Sequence, residues 1–222
     1  MNMISKFAAA SIAALSLAAM AAPANAAVYI SFDGVTDAFV DLDDGEINEI
    51  FGAQGGFASV FVQGNADTEG YGILHSTAVE VTAGSTAANL TVWITRTGLS
   101  QTLPGVFFSS TNNNNANGLT STIEQFYSTT NQKYGGTSVG SVTKVGLGSN
   151  NLNDSFGVNL GNNYSWTQKY TITATSGAGG RSASPTALAT AVPEPGTWAL
   201  MIGGFAGAGA MLRSRRKVLA AV

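Results

Sequence analysis

The strongest constraint on this chain is an alternation near its end: Tyr164, Trp166, Gln168, Tyr170, Ile172 and Ala174 take every second position. A two-residue period puts neighbouring side chains on opposite faces of a strand, so one face is buried and the other wetted. The same period runs through Val28, Ile30 and Phe32, and through Leu90, Val92 and Ile94, with Trp93 on the opposite face. Turn-formers fall between such stretches: Gly55-Gly56, Asn112 to Asn115, Gly135-Gly136, Gly148 to Asn151 and Gly161 to Asn163. The expected fold is all-β, a single antiparallel β-sandwich of jelly-roll or immunoglobulin-like type. Its eight or nine strands are expected near 27–33, 56–63, 71–83, 88–97, 104–110, 121–129, 137–146, 155–160 and 164–176. The one helix candidate in this region is Asp44 to Phe51, where Ile47, Ile50 and Phe51 would share a helical face. The Asn run 112–115 is expected to be a loop tip.

Composition narrows the chemistry. There is no cysteine, so stability comes from packing alone and no thiol serves as nucleophile or metal ligand. The single histidine, His75, excludes multi-histidine zinc sites within one chain, and no acid or nucleophile stands beside it at a catalytic spacing. Between Ala27 and Val192 there are 12 acids against 5 bases, a net charge of −7. That balance repels nucleic acid and anionic membrane surfaces. Residues 27–176 are expected to form the sandwich, and 177–192, rich in Gly, Ala, Ser, Thr and Pro, a flexible linker, with a last edge strand at Thr186 to Val192, between Pro185 and Pro193, as the alternative.

Both ends read as addresses. Residues 1–26 have the pattern of a secretory signal peptide: Lys6, an apolar run from Phe7 to about Ala22, and Ala24-Asn25-Ala26 as an A-x-A cleavage site for signal peptidase after passage through the Sec translocon. The mature chain is expected to begin at Ala27. At the other end stand Pro193-Glu194-Pro195-Gly196-Thr197-Trp198-Ala199, then apolar residues as far as Leu212, then Arg213, Arg215, Arg216 and Lys217. The two prolines hold the backbone extended and remove two amide donors, leaving the segment open to an enzyme. A helix over 198–212 spans roughly 22 Å against roughly 30 Å of hydrocarbon, short for a lasting anchor. The basic cluster stays on the cytoplasmic side as a stop-transfer signal.

Together these closing residues resemble the PEP-CTERM sorting signal, in the Pro-Glu-Pro-x-x-Trp-Ala variant found in exopolysaccharide-producing Gram-negative bacteria. The resemblance covers about the last thirty residues, 193–217 at its heart. It implies a membrane protease-transpeptidase, exosortase, that recognises Pro193, Glu194 and Pro195, with Trp198 and Ala199 matching the variant's Trp-Ala. It further implies a precursor held at the inner membrane, and a product at the cell surface or outside the cell.

Two constellations in the domain suggest chemistry. Asp41, Asp43, Asp44 and Glu46 cluster as calcium ligands do, although the spacing fails the EF-hand loop, with Gly45 fifth and Gly52 twelfth from Asp41. A solvated acidic turn is the alternative. Glu80 and Glu124, both on expected strands, are the acids that would serve a glycan hydrolase if they lay close together. Trp93 and Trp166 would stack on sugar rings if exposed, and fill the core if not. The leading expectation is a non-catalytic exported surface or matrix protein, processed by exosortase and associated with exopolysaccharide or biofilm. A carbohydrate-binding sandwich, calcium-assisted, and a secreted hydrolase are the alternatives.

Overall fold

A computed structural model describes residues 27–42, 46–65, 72–99, 105–158, 160, 163–192, 200–207 and 209. The described strands are β1 (Ala27–Ser31), β2 (Phe39–Asp41), β3 (Glu46–Gln54), β4 (Phe57–Asn65), β5 (Gly72–Ala83), β6 (Ala88–Leu99), β7 (Gly105–Asn115), β8 (Leu119–Ser128), β9 (Thr137–Val145), β10 (Gly148–Val158), β11 (Tyr164–Ala174), β12 (Ser182–Ala183) and β13 (Thr186–Val192). Sheet one runs β2-β1-β6-β11-β8-β9. Sheet two runs β10-β7, then β12 and β13, then β5-β4-β3, and every pairing in both sheets is antiparallel. The fold is therefore an antiparallel β-sandwich, as the alternation requires.

The alternating rows meet between the sheets. Ile30, Val92, Ile94, Ile123, Trp166 and Tyr170 of sheet one, and Val60, Val62, Leu74 and Val79 of sheet two, are all fully buried. A polar bridge crosses this core. Thr77 Oγ1 on β5 donates to Gln168 Oε1 on β11 and lies 2.5 Å from the Tyr170 hydroxyl, which donates to the Thr77 carbonyl at 3.0 Å. Burial keeps that hydroxyl protonated well above the usual phenol range, with the bond to Thr77 pulling the other way. Hydrogen bonds of this kind cannot slide by one residue without stranding buried polar groups, so they fix the register of one sheet on the other.

The chain folds with its two ends together. β5 and β6 are antiparallel neighbours across the sandwich, joined by residues 84–87, so the start of β5 and the end of β6 lie at the same end of the molecule. Ala27 pairs with Thr97 near the end of β6, and Thr190 pairs with Gly72 at the start of β5. The first and last residues of the sandwich therefore emerge on one side, and the turns at 55–56, 84–87 and 116–118 on the other.

Four expectations are corrected. Residues 177–192 are not a flexible linker: β12 and β13 lie end to end in the slot between β5 and β7, paired with both. Small side chains suit a tightly flanked central strand as well as a linker, and Ala183, Ala187 and Ala189 are buried there. The helix expected from Asp44 to Phe51 is a strand where it is described, because Glu46 to Gln54 pairs along β4, and 44–45 lie outside the described residues. The Asn run is no loop tip but the end of β7, paired with β10 from Gly148 to Asn151. Its last member, Asn115, is buried and useful: Ser121 Oγ donates to its Oδ1 at 2.9 Å, and its Nδ2 donates to the Lys144 carbonyl at 2.9 Å. The strand number accordingly exceeds the eight or nine expected. Residues 200–207 are helical and exposed, and among the described residues no helix is long and apolar enough to cross a membrane. Residues 198, 199, 208 and 210–212 of the expected helix, and all of the expected signal peptide at 1–26, lie outside the described residues.

One loop folds back over the outer face of sheet one. Residues 129–136, between β8 and β9, cover Thr95 and Thr167, which are fully buried although they face outward. Tyr134 N donates to Thr95 Oγ1 at 3.2 Å and Ser165 Oγ donates to the Gln132 carbonyl at 2.5 Å. Gly136 lets the loop turn into β9, since its φ is +121° and an added Cβ would collide with the Tyr127 carbonyl. The loop is clamped at Asp37, which accepts from Lys133 Nζ at 2.7 Å and from the Tyr134 hydroxyl at 2.5 Å. Lys133 Nζ also sits 3.7 Å from the Tyr29 ring centre. Lys133 and then Tyr134 hold the Asp37 carboxyl below its usual range, while burial and then Asp37 hold the Tyr134 hydroxyl protonated.

Two outcomes follow from this architecture. Ala189→Asp, which places an uncompensated charge in the centre of sheet two, is expected to cost about 3 kcal/mol or more, a fall of roughly 6–12 °C in thermal midpoint. A midpoint unchanged in a calorimetric scan would restore the flexible-linker reading. Asp37→Asn is expected to cost about 1 kcal/mol at neutral pH, because the pair with Lys133 is partly exposed. Asp37 is held below its unfolded value, so its contribution is present above the ordinary carboxylate range and fades as pH falls through the lowered value. Urea unfolding of both proteins should show the gap closing in acid.

Candidate functional site

The outer face of sheet one carries the most developed surface. Trp93 of β6 pairs across with Lys169 of β11, Lys169 with Glu124 of β8, and Glu124 with Ser141 of β9, so these four stand in one row. Their neighbours on the inner side, such as Val92, Ile94 and Ile123, are fully buried. Alternation therefore turns Trp93, Lys169 and Glu124 outward, and Trp93 is half-buried there. Lys169 Nζ bonds Glu124 Oε2 at 2.6 Å and lies 5.0 Å from the centre of the Trp93 ring. Phe126, two residues beyond Glu124, brings its ring to 6.0 Å from that of Trp93 at 34°. Two aromatic rings and one closed ion pair thus form a patch without net charge.

A turn after β1 holds the indole from the side. Asp33 Oδ1 accepts from Ser31 Oγ at 2.8 Å, Val35 N at 2.8 Å and Thr36 N at 2.7 Å, and Ser31 Oγ accepts from Gly34 N at 3.0 Å. The amides of Thr36 and Val35 hold the Asp33 carboxyl well below its usual range. Gly34 sits at φ +75°, where a Cβ would come within 3.1 Å of Trp93 Nε1. Only glycine allows this turn to lie so close to the ring, and the close fit limits the rotamers open to Trp93.

Beyond the aromatic patch lies a field of hydroxyls. Thr91, Thr171, Thr122 and Thr143 stand in register across β6, β11, β8 and β9, with the Thr122 and Thr143 hydroxyls 2.8 Å apart. Asn89, Thr173 and Thr120 form the next row. All seven are half-buried or exposed.

The sequence-predicted residues fall unevenly around this surface. Trp93 belongs to it. Trp166 does not: it is fully buried on the inner face, with its Nε1 donating to Gln125 Oε1 at 3.1 Å, so it cannot stack on a ligand. β11 is central in its sheet, and the inward row that includes Tyr164, Gln168 and Tyr170 carries Trp166 with it. Glu80 and Glu124 do not come together. Glu80 points out of sheet two and Glu124 out of sheet one, with the core between them. Of the acidic cluster, Asp41 ends β2 and Glu46 begins β3, while Asp43 and Asp44 lie outside the described residues. Among the described residues no three His, Cys, Asp or Glu side chains are grouped to hold a metal ion. Asp33 and Asp37 are instead engaged in the turn and the loop clamp. His75 lies opposite Asn65 on β4. Ala24 and Ala26, Pro193, Glu194, Pro195, Trp198 and Ala199, and Arg213, Arg215, Arg216 and Lys217 all lie outside the described residues. Phe126 and Lys169 were not singled out in the sequence. Alternation turns them outward, but only the register of three strands brings them to Trp93.

No curated protein matches this sequence. Among solved structures, the chain is similar to TmCBM61, determined in complex with β-1,4-galactotriose, at 12% identity and a TM-score of 0.37, covering 68% of this chain and 92% of that one. It is also similar to the CBM22-1 xylan-binding domain of Paenibacillus barcinonensis Xyn10C, at 10% identity and a TM-score of 0.30, covering 68% and 87%. A third is the N-terminal cellulose-binding domain of Cellulomonas fimi β-1,4-glucanase C, at 12% identity and a TM-score of 0.31, covering 67% and 89%. At these identities and scores no property of the three carries over to this chain. The C-terminal match is of another kind: residues 191–217 fit the model of the PEP-CTERM protein-sorting motif, beginning on the last two residues of β13, and the chain thus carries that sorting signal directly behind a strand of its folded domain.

Proposed function

We propose that this chain is an exported, non-catalytic surface or matrix protein, trimmed by exosortase and associated with the exopolysaccharide of the cell that makes it. The observation that carries the reading is the sorting motif at 191–217. Two features of the fold support it. Ala27 and Val192 emerge at one end of the sandwich, so a secretory signal before the first and a membrane segment after the second would enter the same bilayer without stretching the domain. Glu80 and Glu124, on opposite outer faces, leave the hydrolase alternative without the carboxyl pair it was built on, which favours binding over turnover.

The fold also favours one stretch for the proposed trimming. β13 pairs with β7 up to Val192, opposite Val106, and with β5 as far as Thr190. A cut before Val192 would remove ladder bonds from a central strand, so the mature C-terminus is expected at Pro193 to Pro195. Intact-mass measurement of the protein recovered from the cell surface should give a chain from Ala27 to that point. A chain still ending at Val222 overturns the reading. Replacing Pro193, Glu194 and Pro195 by alanine should leave the longer precursor in the membrane fraction.

A further inference from the structure

We infer that the outer face of sheet one is a binding site for a neutral polysaccharide, with Trp93 and Phe126 as the stacking platform and the threonine rows as its hydroxyl-matching floor. A polysaccharide chain presents pyranose rings with an apolar C–H face and a rim of hydroxyls that both donate and accept. The surface offers the complement of each. Two aromatic rings lie 6.0 Å apart at 34°, both half-buried, beside hydroxyls from Thr91, Thr171, Thr122 and Thr143. Beside the rings Lys169 and Glu124 are closed on each other at 2.6 Å, giving one donor and one acceptor, and the carboxylate of the flanking turn, Asp33, is tied to the amides of Val35 and Thr36. An anionic glycan would find no unpaired cation among these residues, and a nucleic acid no basic stripe. A peptide adding as a strand needs a free sheet edge, whereas β6, β11 and β8 are paired on both sides.

The platform is also preorganised. Gly34, held by the Asp33-centred turn, abuts one side of the indole, and Lys169, tethered by Glu124, lies over the ring. A ring already fixed loses little freedom when a sugar stacks on it. The surface crosses four strands in register, an extent that suits several consecutive sugars rather than one. The proposal deepens the exopolysaccharide association above by naming the surface and the charge class of the ligand.

The test is affinity electrophoresis of the full-length chain in non-ionic detergent, through gels containing hydroxyethyl cellulose, β-1,4-galactan or the producing cell's own neutral polysaccharide, with carboxymethyl cellulose as the anionic counterpart. At least one neutral polymer should retard the protein, and the retardation should survive raised salt. Trp93→Ala should raise the apparent Kd about tenfold, and Trp93→Phe should recover much of the loss. Thr171→Glu, which places a charge in the threonine row without touching the rings, should weaken binding as well, and serves should Trp93→Ala fail to fold. Folding of each variant is read from its thermal midpoint. Retardation only by the anionic polymer, none by any neutral one, or undiminished binding by folded Trp93→Ala or Thr171→Glu overturns the proposal. The assay does not involve trimming, so a correctly shortened surface protein that binds no neutral glycan sinks this inference alone, and an untrimmed one sinks the exosortase reading alone.

Discussion

Sheet two is continuous only because the last two strands of the domain lie in the slot between β5 and β7. Without β12 and β13 those strands would face each other with two rows of unpaired amides and carbonyls, and the sheet would part into β10-β7 and β5-β4-β3. Buried backbone groups are satisfied almost without exception, so this slot has to be filled. The segment that fills it is built for the space: Ala183, Ala187 and Ala189 are buried, and Pro185, which lacks an amide hydrogen, falls at the joint between the two strands while its carbonyl still accepts from Val79 N at 3.1 Å. Closure of the domain therefore waits for a strand that runs into the first two residues of the sorting motif. In a chain exported from its N-terminus, the sandwich completes its second sheet only when residues 186–192 have crossed.

How much of this was legible depends on whether a pattern was local. The inward row of β11 and the strands β1 and β6 were readable because one face of each is wholly buried and alternation records that directly. β3 was misread because Ile47, Ile50 and Phe51 repeat at three and four residues, a helical spacing. The strand produces the same spacing by another route. Two-residue alternation puts Ile47 and Phe51 on one face and Ile50 on the other, so Ile47 is buried, Phe51 meets Phe32 edge to face at 4.9 Å, and Ile50 is left 76% exposed on an edge strand. The Asn run and residues 177–192 were misread from composition, since asparagine and alanine say little about pairing when the partner strand lies about thirty or more residues away. The candidate surface was half legible. Trp93 was placed on the outer face of its strand, but its neighbours come from β8 and β11, and no local signal sets their register.

The two aromatic positions separate for a reason that runs through the whole sheet. Trp93 and Trp166 lie on adjacent strands of sheet one, yet face opposite ways. Trp166 fills the core and satisfies its indole N–H on Gln125, whereas Trp93 stands among threonines and a closed ion pair. The inner face holds its polar groups largely in networks, as at Thr77, Gln168 and Tyr170, although the Tyr164 hydroxyl and Gln168 Nε2 have no hydrogen-bond partner among the described residues. The outer face tolerates an aromatic ring because the Asp33 turn and Phe126 shield part of it.

The two loops over the outer face also divide it. Residues 129–136, clamped at Asp37, seal Thr95 and Thr167 toward the end where Ala27 and Val192 emerge. The threonine rows at Thr91, Thr171 and Thr173 run toward the opposite end. If the membrane lies beside the sorting signal, the sealed part of the sheet is the proximal part, and the hydroxyl-rich part is held away from the bilayer. The same strand directions that bring both chain ends to one side thus present the open half of the face outward, where an extracellular polymer would be met.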